Sequence, residues 1–536
     1  MTIINRLVII FSILFGEAAL GDEHYNRYDF PKDFIFGAST SAYQVEGAAL
    51  EDGRTRSIYD TFAHQKRHGK HDPDVTCDQY HKYKDDVQLM VETGLDAYRF
   101  SISWSRLIPN GRGAINPKGL RYYNNLINEL INHGIEPHVT LLHTDLPQVL
   151  EDEYGGFLNR RIILDFTAYA DICFREFGDR VQQWTTFNEA NIFVFGGYDV
   201  GNTPPGRCSL PFGHYNCSRG DSTTEPYIAA HLLLLAHGSA VRLYKEKYQA
   251  KQLGFVGMNL LSYYLSPATN TREDVDAARR SYDFLIGWFM HPLKYGDYPE
   301  IMKKNAGTKL PTFTKEESKL LKGSFDFIGL NYYSIMMVAD NSMNSSINPR
   351  PRDYFGDMEV EWIFFDFSAL PEKFMFPNEP WGLERVLEYY KDVYENPLIY
   401  IHENGQVANY NTSTNDSFRV EYLEAHIGSL LNAMRNGSNT RGYFVWSLMD
   451  VYELLFDFDY TFGIYYVDFN DPNLTRHPKL SQRWYSEFLK GESTSTHVKN
   501  NLVEDTTIEH QFNRSSFGED ENLRKHPQLR QQIMSS

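Results

Sequence analysis

Acidic residues stand at the ends of several short apolar runs in this sequence. Glu189 follows the run Trp-Thr-Thr-Phe-Asn, and Glu403 follows Leu-Ile-Tyr-Ile-His. A carboxylate in such a place is costly to bury unless it is paired or used in chemistry. A structural ion pair or a helix cap explains any one of them equally well. Two facing glutamates are harder to explain in that way, because one as acid and the other as nucleophile or base can cleave a glycosidic bond.

Eight short runs of apolar or β-branched residues predict the strands that would position these carboxylates. They cover residues 34–39, 97–104, 136–143, 181–189, 254–262, 325–333, 397–403 and 442–449. Apolar residues at i, i+3 and i+4 predict helices over 79–92, 118–132, 161–177, 225–248, 382–394, 420–435 and 480–489. Strands that alternate with helices indicate a parallel sheet, and eight strands close a (β/α)8 barrel. In such an α/β fold Glu189 and Glu403, at the ends of the fourth and seventh strands, would meet on one face.

The chain divides into three parts by composition. Residues 1–21 have a basic start, a short apolar run and small residues at Ala19 and Gly21, which predict a cleaved secretory signal peptide. Residues 22–491 show no repeat and no interior linker, so we expect one catalytic barrel domain with long loops at its C-terminal face. Residues 492–536 are polar and charged, which predicts a mostly disordered tail.

Composition excludes several classes of partner. The 536 residues carry a net charge of −18 at pH 7, so a nucleic-acid or anionic-membrane surface is not expected. After residue 21 no apolar run approaches the 18 residues of a membrane span. We therefore expect a small-molecule substrate as the main partner, and nothing in the sequence favours one oligomeric state over another.

Cysteines and glycosylation motifs agree with a secreted protein. Cys208 and Cys217 bracket a Pro/Gly-rich loop that a local disulfide would restrain, whereas Cys77 and Cys173 resemble lone small hydrophobic residues. Seven N-x-S/T motifs are candidates for glycosylation, at Asn216, Asn344, Asn411, Asn415, Asn436, Asn473 and Asn513. We expect a location in the secretory pathway, either outside the cell or in the vacuole.

Seven motifs occur in the order known from glycoside hydrolase family 1. They cover residues 34–48, 99–106, 142–148, 186–189, 329–333, 401–405 and 446–450. The sequence resembles this family over about residues 27–491. The loop between Cys208 and Cys217, together with Thr-Glu-Pro-Tyr-Ile-Ala-Ala-His231 after it, resembles the plant β-glucosidases in particular.

The resemblance implies a retaining β-glucosidase that hydrolyses β-D-glucosides by double displacement. Glu403 would be the nucleophile and Glu189 the proton donor and later the base, with no organic cofactor and no metal ion. In the family pattern Tyr333 steadies the nucleophile, Trp446 forms the floor under the sugar and Phe462 its outer edge. The resemblance implies a substrate-binding set of Gln44, His143, Asn188, Tyr333, Trp446, Glu453, Leu454 and Phe462.

The sequence departs from the family pattern at three positions. Ala190 replaces a proline after the acid/base, and His402 replaces a threonine before the nucleophile, where it could shift that residue's pKa. Leu454 stands where many members have a tryptophan, and the loss of that indole donor would weaken sugar binding by about 0.5–1.5 kcal/mol.

Two other functions fit the same residues. A transglucosidase would pass glucose from the covalent intermediate to an acceptor alcohol instead of water. An inactive sugar-binding protein is the third possibility, which the presence of both glutamates disfavours. The irregular segment 341–380, predicted to be a long loop over one face, would help select the aglycone, but its sequence does not identify the aglycone.

Overall fold

Eight parallel strands close into a barrel in the computed structural model, and their order around the barrel is their order along the chain. The strands are β1 (Ile35–Ser39), β2 (Ala97–Ser101), β3 (Glu136–Leu142), β4 (Gln183–Phe187), β5 (Phe255–Leu261), β6 (Phe327–Asn331), β7 (Ile399–Asn404) and β8 (Thr440–Trp446). Parallel pairing of β1 with both β2 and β8 closes the ring. The predicted (β/α)8 barrel is confirmed, and each strand lies in one of the eight apolar runs, give or take two residues.

The structure describes residues 25–66, 73–213, 217–342, 351–363, 376–410 and 414–492. The predicted signal peptide and nearly all of the predicted tail lie outside these ranges and stay predictions. Four of the seven glycosylation motifs, at Asn216, Asn344, Asn411 and Asn513, also lie outside them.

One helix leads into each of the strands β2 to β8, and a further helix follows β8, on the outside of the barrel. The helices are α1 (Gln79–Thr93), α2 (Pro117–Asn132), α3 (Arg161–Phe177), α4 (Glu225–Lys247), α5 (Lys315–Leu321), α6 (Trp381–Val393), α7 (Ser417–Arg435) and α8 (Leu480–Leu489). Seven of them match the predicted helices. Helix α5 was not predicted, because its seven residues, Lys-Glu-Glu-Ser-Lys-Leu-Leu, are too few and too polar to show a helical apolar stripe.

Shorter elements fill the connections. Additional helices are Ala42–Val45, Ile58–Lys66, Trp104–Leu107, Gln148–Tyr154, Ala190–Phe195, Gln249–Gln252, Arg272–Tyr282, Trp288–Tyr295, Glu300–Ala306 and Tyr354–Met358. Single turns of 3-10 or π geometry are Arg27–Asp29, Gly156–Leu158, Gly196–Val200, Asp283–Gly287 and Gly307–Lys309. Two small antiparallel pairs join Ala408–Asn409 to Tyr460–Thr461 and Tyr465–Val467 to Arg476–Pro478.

Part of the segment 341–380 is regular, which corrects the prediction of one irregular loop. Val360–Ile363 pairs antiparallel with Ile335–Asp340, which pairs parallel with Tyr264–Pro267 in a three-stranded sheet. The strand Val360–Ile363 is only four residues long, too short for its alternation to be recognised beside prolines and glycines. Residues 343–350 and 364–375 lie outside the described ranges.

Strand β7 carries an irregularity where the chemistry is expected. Ile401 pairs with Leu330 of β6, but Glu403 pairs with the very next residue, Asn331, so β7 has one extra residue at His402. The pairing of β7 with β8 shifts in the same place. Such bulges re-aim side chains near functional sites. Here the bulge lets two consecutive side chains, His402 and Glu403, both reach partners across the barrel.

The barrel interior is apolar near the strand beginnings and polar towards the strand ends. Ala97, Phe327, Tyr400 and Phe444 form a buried cluster inside it. No helix within the described ranges is long and apolar enough to cross a membrane.

The predicted disulfide is present. Cys208 and Cys217 are joined, with their Cα atoms 5.4 Å apart, in the loop between β4 and α4. Cys77 and Cys173 are free and buried, as the sequence indicated.

Candidate active site

Glu403 lies inside the barrel with both carboxylate oxygens hydrogen-bonded. Arg99 of β2 reaches across the interior and donates from Nη1 to Oε1 at 2.7 Å. The Tyr333 hydroxyl donates to Oε2, also at 2.7 Å. Two charge-assisted bonds hold this buried carboxylate in one orientation. This arrangement suits a carboxylate that must stay negative and attack as a nucleophile.

Glu189 lies just beyond β4, at the start of the short helix Ala190–Phe195. Its backbone has φ +42°, in the left-handed region that is costly for a residue with a side chain. The backbone N–H donates to Asn259 Oδ1 at 2.9 Å, and the Asn331 amide donates to the Glu189 Oε1 atom at 2.9 Å. These two bonds hold both the strained backbone and the carboxyl group in place.

The electrostatic surroundings of Glu189 favour its protonated form. Burial, and then the negative charge of Glu403, raise the pKa of Glu189 to about 8, against the smaller opposing effects of Asn331 and Arg99. A carboxyl with this pKa carries its proton at neutral pH and can donate it.

Asn188 and His143 form a hydrogen-bonded pair beside the two glutamates. Arg99 Nη2 donates to Asn188 Oδ1 at 2.6 Å, and the Asn188 amide nitrogen lies 3.0 Å from His143 Nε2. Burial and the charge of Arg99 hold the pKa of His143 well below its usual range, so the ring is neutral. Because Nε2 accepts from the amide, Nδ1 carries the proton, and Nδ1 has no hydrogen-bond partner within the described part of the chain. It is therefore free to donate to a ligand.

A third buried carboxyl, Glu453, lies with Gln44 on the other side of the site. The Gln44 amide is 3.4 Å from Glu453 Oε2 and 2.7 Å from the Tyr452 carbonyl oxygen, to which it donates. Burial, followed by the charges of Glu403 and Asp450, raises the pKa of Glu453 well above its usual value. A buried carboxyl and a buried amide together offer the donors and acceptors that sugar hydroxyls need.

Aromatic rings border the polar groups. Trp446 lies nearly parallel to the His143 ring, with centroids 5.9 Å apart. Tyr333 contacts Phe462 at 5.5 Å, and Phe376 contacts both rings at about 6 Å. Flat apolar surfaces next to polar groups are typical of a site for a sugar ring and an aromatic aglycone.

Leu454 is half-buried and packs against an aromatic cluster above the Gln44 side of the site. The cluster contains Tyr43, Tyr59, Ala63, Tyr452 and Phe458. Tyr43 and Tyr452 are the chain neighbours of Gln44 and Glu453, so Leu454 packs against a cluster that adjoins these two polar residues.

Two other carboxylates near strand ends, Glu46 and Asp450, have partners that explain them. Glu46 pairs with Arg106 at 2.8 Å and Asp450 with Lys479 at 2.6 Å, which are buried structural ion pairs. Burial raises the pKa of Asp145 to about 7. Among these carboxylates, Glu403 raises the pKa of both Glu189 and Glu453, so these three groups influence one another as members of one site would.

Four residues that the structure brings into the site had no role predicted from the sequence. Arg99, Asn259 and Asn331 are polar residues inside predicted apolar strands, and Phe376 lies in the irregular segment. An arginine or asparagine within an apolar strand run could have indicated the first three, because a buried polar group needs a partner in the interior. Nothing in the local sequence indicated Phe376.

Comparisons with known proteins show the family of this chain. The model of glycosyl hydrolase family 1 matches residues 26–494. The chain belongs to this family. A rice β-glucosidase of known structure is 42% identical, covers 86% of this chain and 99% of its own, and superimposes with a TM-score of 0.82. A glutamate-to-glutamine mutant of the same rice enzyme, at 41% identity, TM-score 0.81 and coverage of 86% and 99%, was solved in a covalent complex with glucose.

Two curated plant relatives cover nearly the whole chain. A cyanidin 3-O-glucoside 5-O-glucosyltransferase (acyl-glucose) from Dianthus caryophyllus is 56% identical over 91% of this chain and 93% of its own. β-Glucosidase 11 from Arabidopsis thaliana is 53% identical over 91% of this chain and 97% of its own.

Proposed function

We propose that this family 1 glycosidase is a retaining β-glucosidase in which Glu403 is the nucleophile and Glu189 the acid/base. The observation that carries the proposal is the contrast between the two carboxyls. One is held by Arg99 and Tyr333, and the other has its pKa raised to about 8. A carboxyl that keeps its proton at neutral pH suits the acid, and one held by a cation and a phenol suits the nucleophile.

The reaction proceeds in two displacements. Glu403 attacks the anomeric carbon while Glu189 gives its proton to the leaving glycosidic oxygen, which leaves a glucosyl ester on Glu403. Esterification removes the negative charge that raises the pKa of Glu189. Glu189 then acts as base on a water molecule, which attacks the same carbon and releases glucose with retained configuration.

The sugar-binding roles rest on the polar groups around this pair. In this proposal Asn188 binds the 2-hydroxyl, where hydrogen bonds strengthen in the transition state. Trp446 lies under the ring, Phe462 closes its outer edge, and Tyr333 holds the nucleophile. Hydroxyls of the glucose are bound by Gln44, His143, Asn188 and Glu453.

The aglycone is proposed to be aromatic or otherwise apolar, or a further sugar in short glucosides. The support is the group of rings at Tyr333, Phe376 and Phe462 beside the carboxyls. Incubating the purified enzyme with a panel of plant glucosides, and comparing kcat/KM between aryl and alkyl aglycones of equal size, tests this point.

Transfer of glucose to an acceptor is the second candidate, favoured by the name of the Dianthus relative. Both functions share the glucosyl ester and differ in whether water or an alcohol attacks it. We propose hydrolysis, because the Arabidopsis relative and the rice structures are β-glucosidases. Product analysis with an added phenolic acceptor, and separately with an acyl-glucose donor, decides between them.

Secretion, glycosylation and a vacuolar or extracellular location are also proposed. Asn415, Asn436 and Asn473 are exposed, which a glycan requires. Amino-terminal sequencing of the protein expressed in plant cells is expected to begin near Asp22. A mass decrease after enzymatic removal of N-glycans is expected, and an unchanged mass would contradict glycosylation.

Exchange of each glutamate tests the two assigned roles. Glu403→Gly is expected to abolish hydrolysis and to be rescued by azide or formate, with an α-configured product, because the anion fills the vacated space. Glu189→Ala is expected to spare substrates with good leaving groups, and azide should then give a β product. Products of the same configuration from both variants would overturn the assignment.

A further inference from the structure

His402 is a buried histidine that the proposed chemistry does not use. It precedes Glu403, yet the bulge in β7 lets both side chains face the barrel interior. The ring is fully buried and lies among Tyr400, Phe327 and Phe444. A histidine in this place either only fills space in the core or makes a hydrogen bond that holds a neighbouring group in position.

One polar contact distinguishes the His402 ring from its apolar surroundings. His402 Nδ1 lies 3.4 Å from the amide nitrogen of Asn259, which projects from β5, two strands away. Gly329 of β6 makes this approach possible, because a Cβ atom there would lie 2.3 Å from Nδ1 and 3.0 Å from the same amide nitrogen. The ring and the amide therefore meet in space that a side chain on β6 would occupy.

The chemistry of the amide sets the direction of this hydrogen bond, and the surroundings keep the ring neutral. Asn259 presents a nitrogen that can only donate, so Nδ1 must accept and Nε2 must carry the proton. Burial, followed by Arg99 of β2 and His138 of β3, holds the pKa of His402 well below its usual range. The neighbours from β5, β6 and β8 are Asn259, Gly329, Phe327 and Phe444, which are uncharged, and the ionised Glu403 is next in the chain. A neutral ring remains an acceptor throughout the working pH range.

Asn259 connects His402 to Glu189 through hydrogen bonds. Its Oδ1 accepts the backbone N–H of Glu189 at 2.9 Å, and its amide donates to Asn331 Oδ1 at 2.7 Å. The Asn331 amide in turn donates to the Glu189 carboxyl at 2.9 Å. One asparagine therefore holds both the backbone and, through its neighbour, the carboxyl of Glu189.

We propose that His402 is a positioning residue for Glu189: its imidazole accepts from the Asn259 amide and so fixes the chain Asn259–Asn331–Glu189. This inference rests on the proposed function, in which Glu189 is the acid/base. The second amide hydrogen of Asn259 is otherwise without a partner among the described hydrogen bonds of that residue. Holding both amide hydrogens restricts rotation of the side chain, and with it the direction from which Asn331 meets the carboxyl.

The variant His402→Leu tests the proposal, because it removes the Nδ1 acceptor and keeps a side chain of similar size. For a glucoside with an alkyl leaving group, which needs the proton, kcat/KM is expected to fall about tenfold or more. For 2,4-dinitrophenyl β-glucoside, which needs none, it should fall less than about twofold. Because the Asn331 hydrogen bond lowers the pKa of Glu189, loosening it should move the alkaline limb of the alkyl-glucoside profile to higher pH.

Two further variants separate positioning from packing. His402→Gln places a carbonyl acceptor in the same direction and is expected to restore most of the alkyl-glucoside activity. His138→Leu is the matched control, since it removes another buried imidazole whose ring lies 6.4 Å from that of His402. It should change both substrates equally and leave the alkaline limb in place. If His402→Leu does not fold, His402→Met, which also lacks a nitrogen acceptor, takes its place.

Equal losses for both substrates, an unmoved alkaline limb, or a His402→Gln variant no better than His402→Leu would each overturn the inference. Glu189→Ala, assayed in parallel, identifies the cause of a negative result. If it spares the dinitrophenyl substrate while His402→Leu shows no selectivity, only the role of His402 is wrong. If Glu189→Ala loses both substrates, the proposed acid/base role itself fails.

Discussion

Glu189 and Glu403 carry the same functional group in different surroundings. Glu403 accepts from a guanidinium and a phenol, whereas Glu189 accepts from a neutral amide and is repelled by Glu403. A charged donor stabilises an ionised carboxylate more than a neutral amide does. The two roles in catalysis therefore follow from the residues around the glutamates rather than from the glutamates themselves.

The raised pKa of Glu189 predicts how activity depends on pH. A general acid must be protonated, so kcat/KM for a glucoside with a poor leaving group should fall as the pH rises through about 8. The pH profile of the parent enzyme measures this limb. Glu189→Ala is the control, since it should lack the limb altogether. Constant kcat/KM up to pH 10 in the parent would contradict the assignment.

Leu454 predicts a gain of binding from a single substitution. Leu454→Trp adds an indole donor where many family members have one, and the expected result is an inhibition constant for glucose-derived inhibitors about two- to tenfold lower. The surrounding aromatic cluster must make room for the ring, and overpacking would cost about 1–3 kcal/mol of stability. Binding by calorimetry and thermal unfolding are therefore measured together.

Leu455→Trp is the matched control for that substitution, because Leu455 is the next residue and its side chain is 56% exposed. If Leu454→Trp folds normally and binds no better than the parent, position 454 does not face the sugar. The alignment of Glu453 and Leu454 with the family motif would then be wrong at Leu454.

At the scale of elements, the strands supply the polar groups of the site and the loops supply aromatic rings around it. The strands β2, β5, β6 and β7 supply Arg99, Asn259, Asn331 and Glu403 from a fixed frame. Residues on such strands are held more precisely than residues on loops. The long connections contribute aromatic rings such as Phe376 and Phe462, which border the site. Because loops tolerate sequence change better than strands, such rings can vary between enzymes that accept different aglycones.

The disulfide in the loop after β4 predicts a measurable contribution to stability. Replacing Cys208 and Cys217 together by serine is expected to lower the free energy of unfolding by about 2–3 kcal/mol, because the cross-link restrains a loop of sequence separation 9 in the unfolded chain. Denaturant unfolding measures the change. A reductant should lower the stability of the parent and leave the double variant unaffected, and equal effects on both would show that the cross-link contributes nothing.

At the scale of the whole molecule, the barrel brings together groups that are far apart in the chain. Arg99 and Glu403 are separated by 304 positions and form one ion pair. All eight strands run in the same direction, so their carboxyl ends lie on one face and the site is built there. Within the described residues no cluster of three or more histidine, cysteine or acidic side chains is arranged to hold a metal ion.

The proposed chemistry predicts that the enzyme works without a metal ion, because the two carboxylates supply the nucleophile and the proton. Exhaustive chelation followed by gel filtration should leave kcat and KM unchanged within about 10–20%. Loss of a group that takes part in the reaction would lower the rate far more than this. Activity that is lost on chelation and returns only with an added metal would contradict the prediction. Assays on 2,4-dinitrophenyl β-glucoside at neutral pH measure it.

Much of the fold was determined by local sequence. Short β-branched runs favour strands and amphipathic stretches favour helices, and both signals are strong in β1 to β8 and in the long helices. The same runs end in Glu189 and Glu403, so the pair that we propose to react was predicted from the sequence. Helix α5 and the strand Val360–Ile363 were not, because segments of four to seven residues are held by packing rather than by their own periodicity.

Tertiary structure alone decided the protonation and orientation of the reacting groups. The bulge that turns His402 and Glu403 inwards arises from the pairing of β7 with both neighbours, which the residues of β7 do not reveal. The raised pKa of Glu189 depends on burial and on a charge 214 positions away in the chain, and the Arg99 contact joins β2 to β7. Sequence specifies which groups are present, whereas electrostatic interactions depend on distance in space, and only the closed barrel sets those distances.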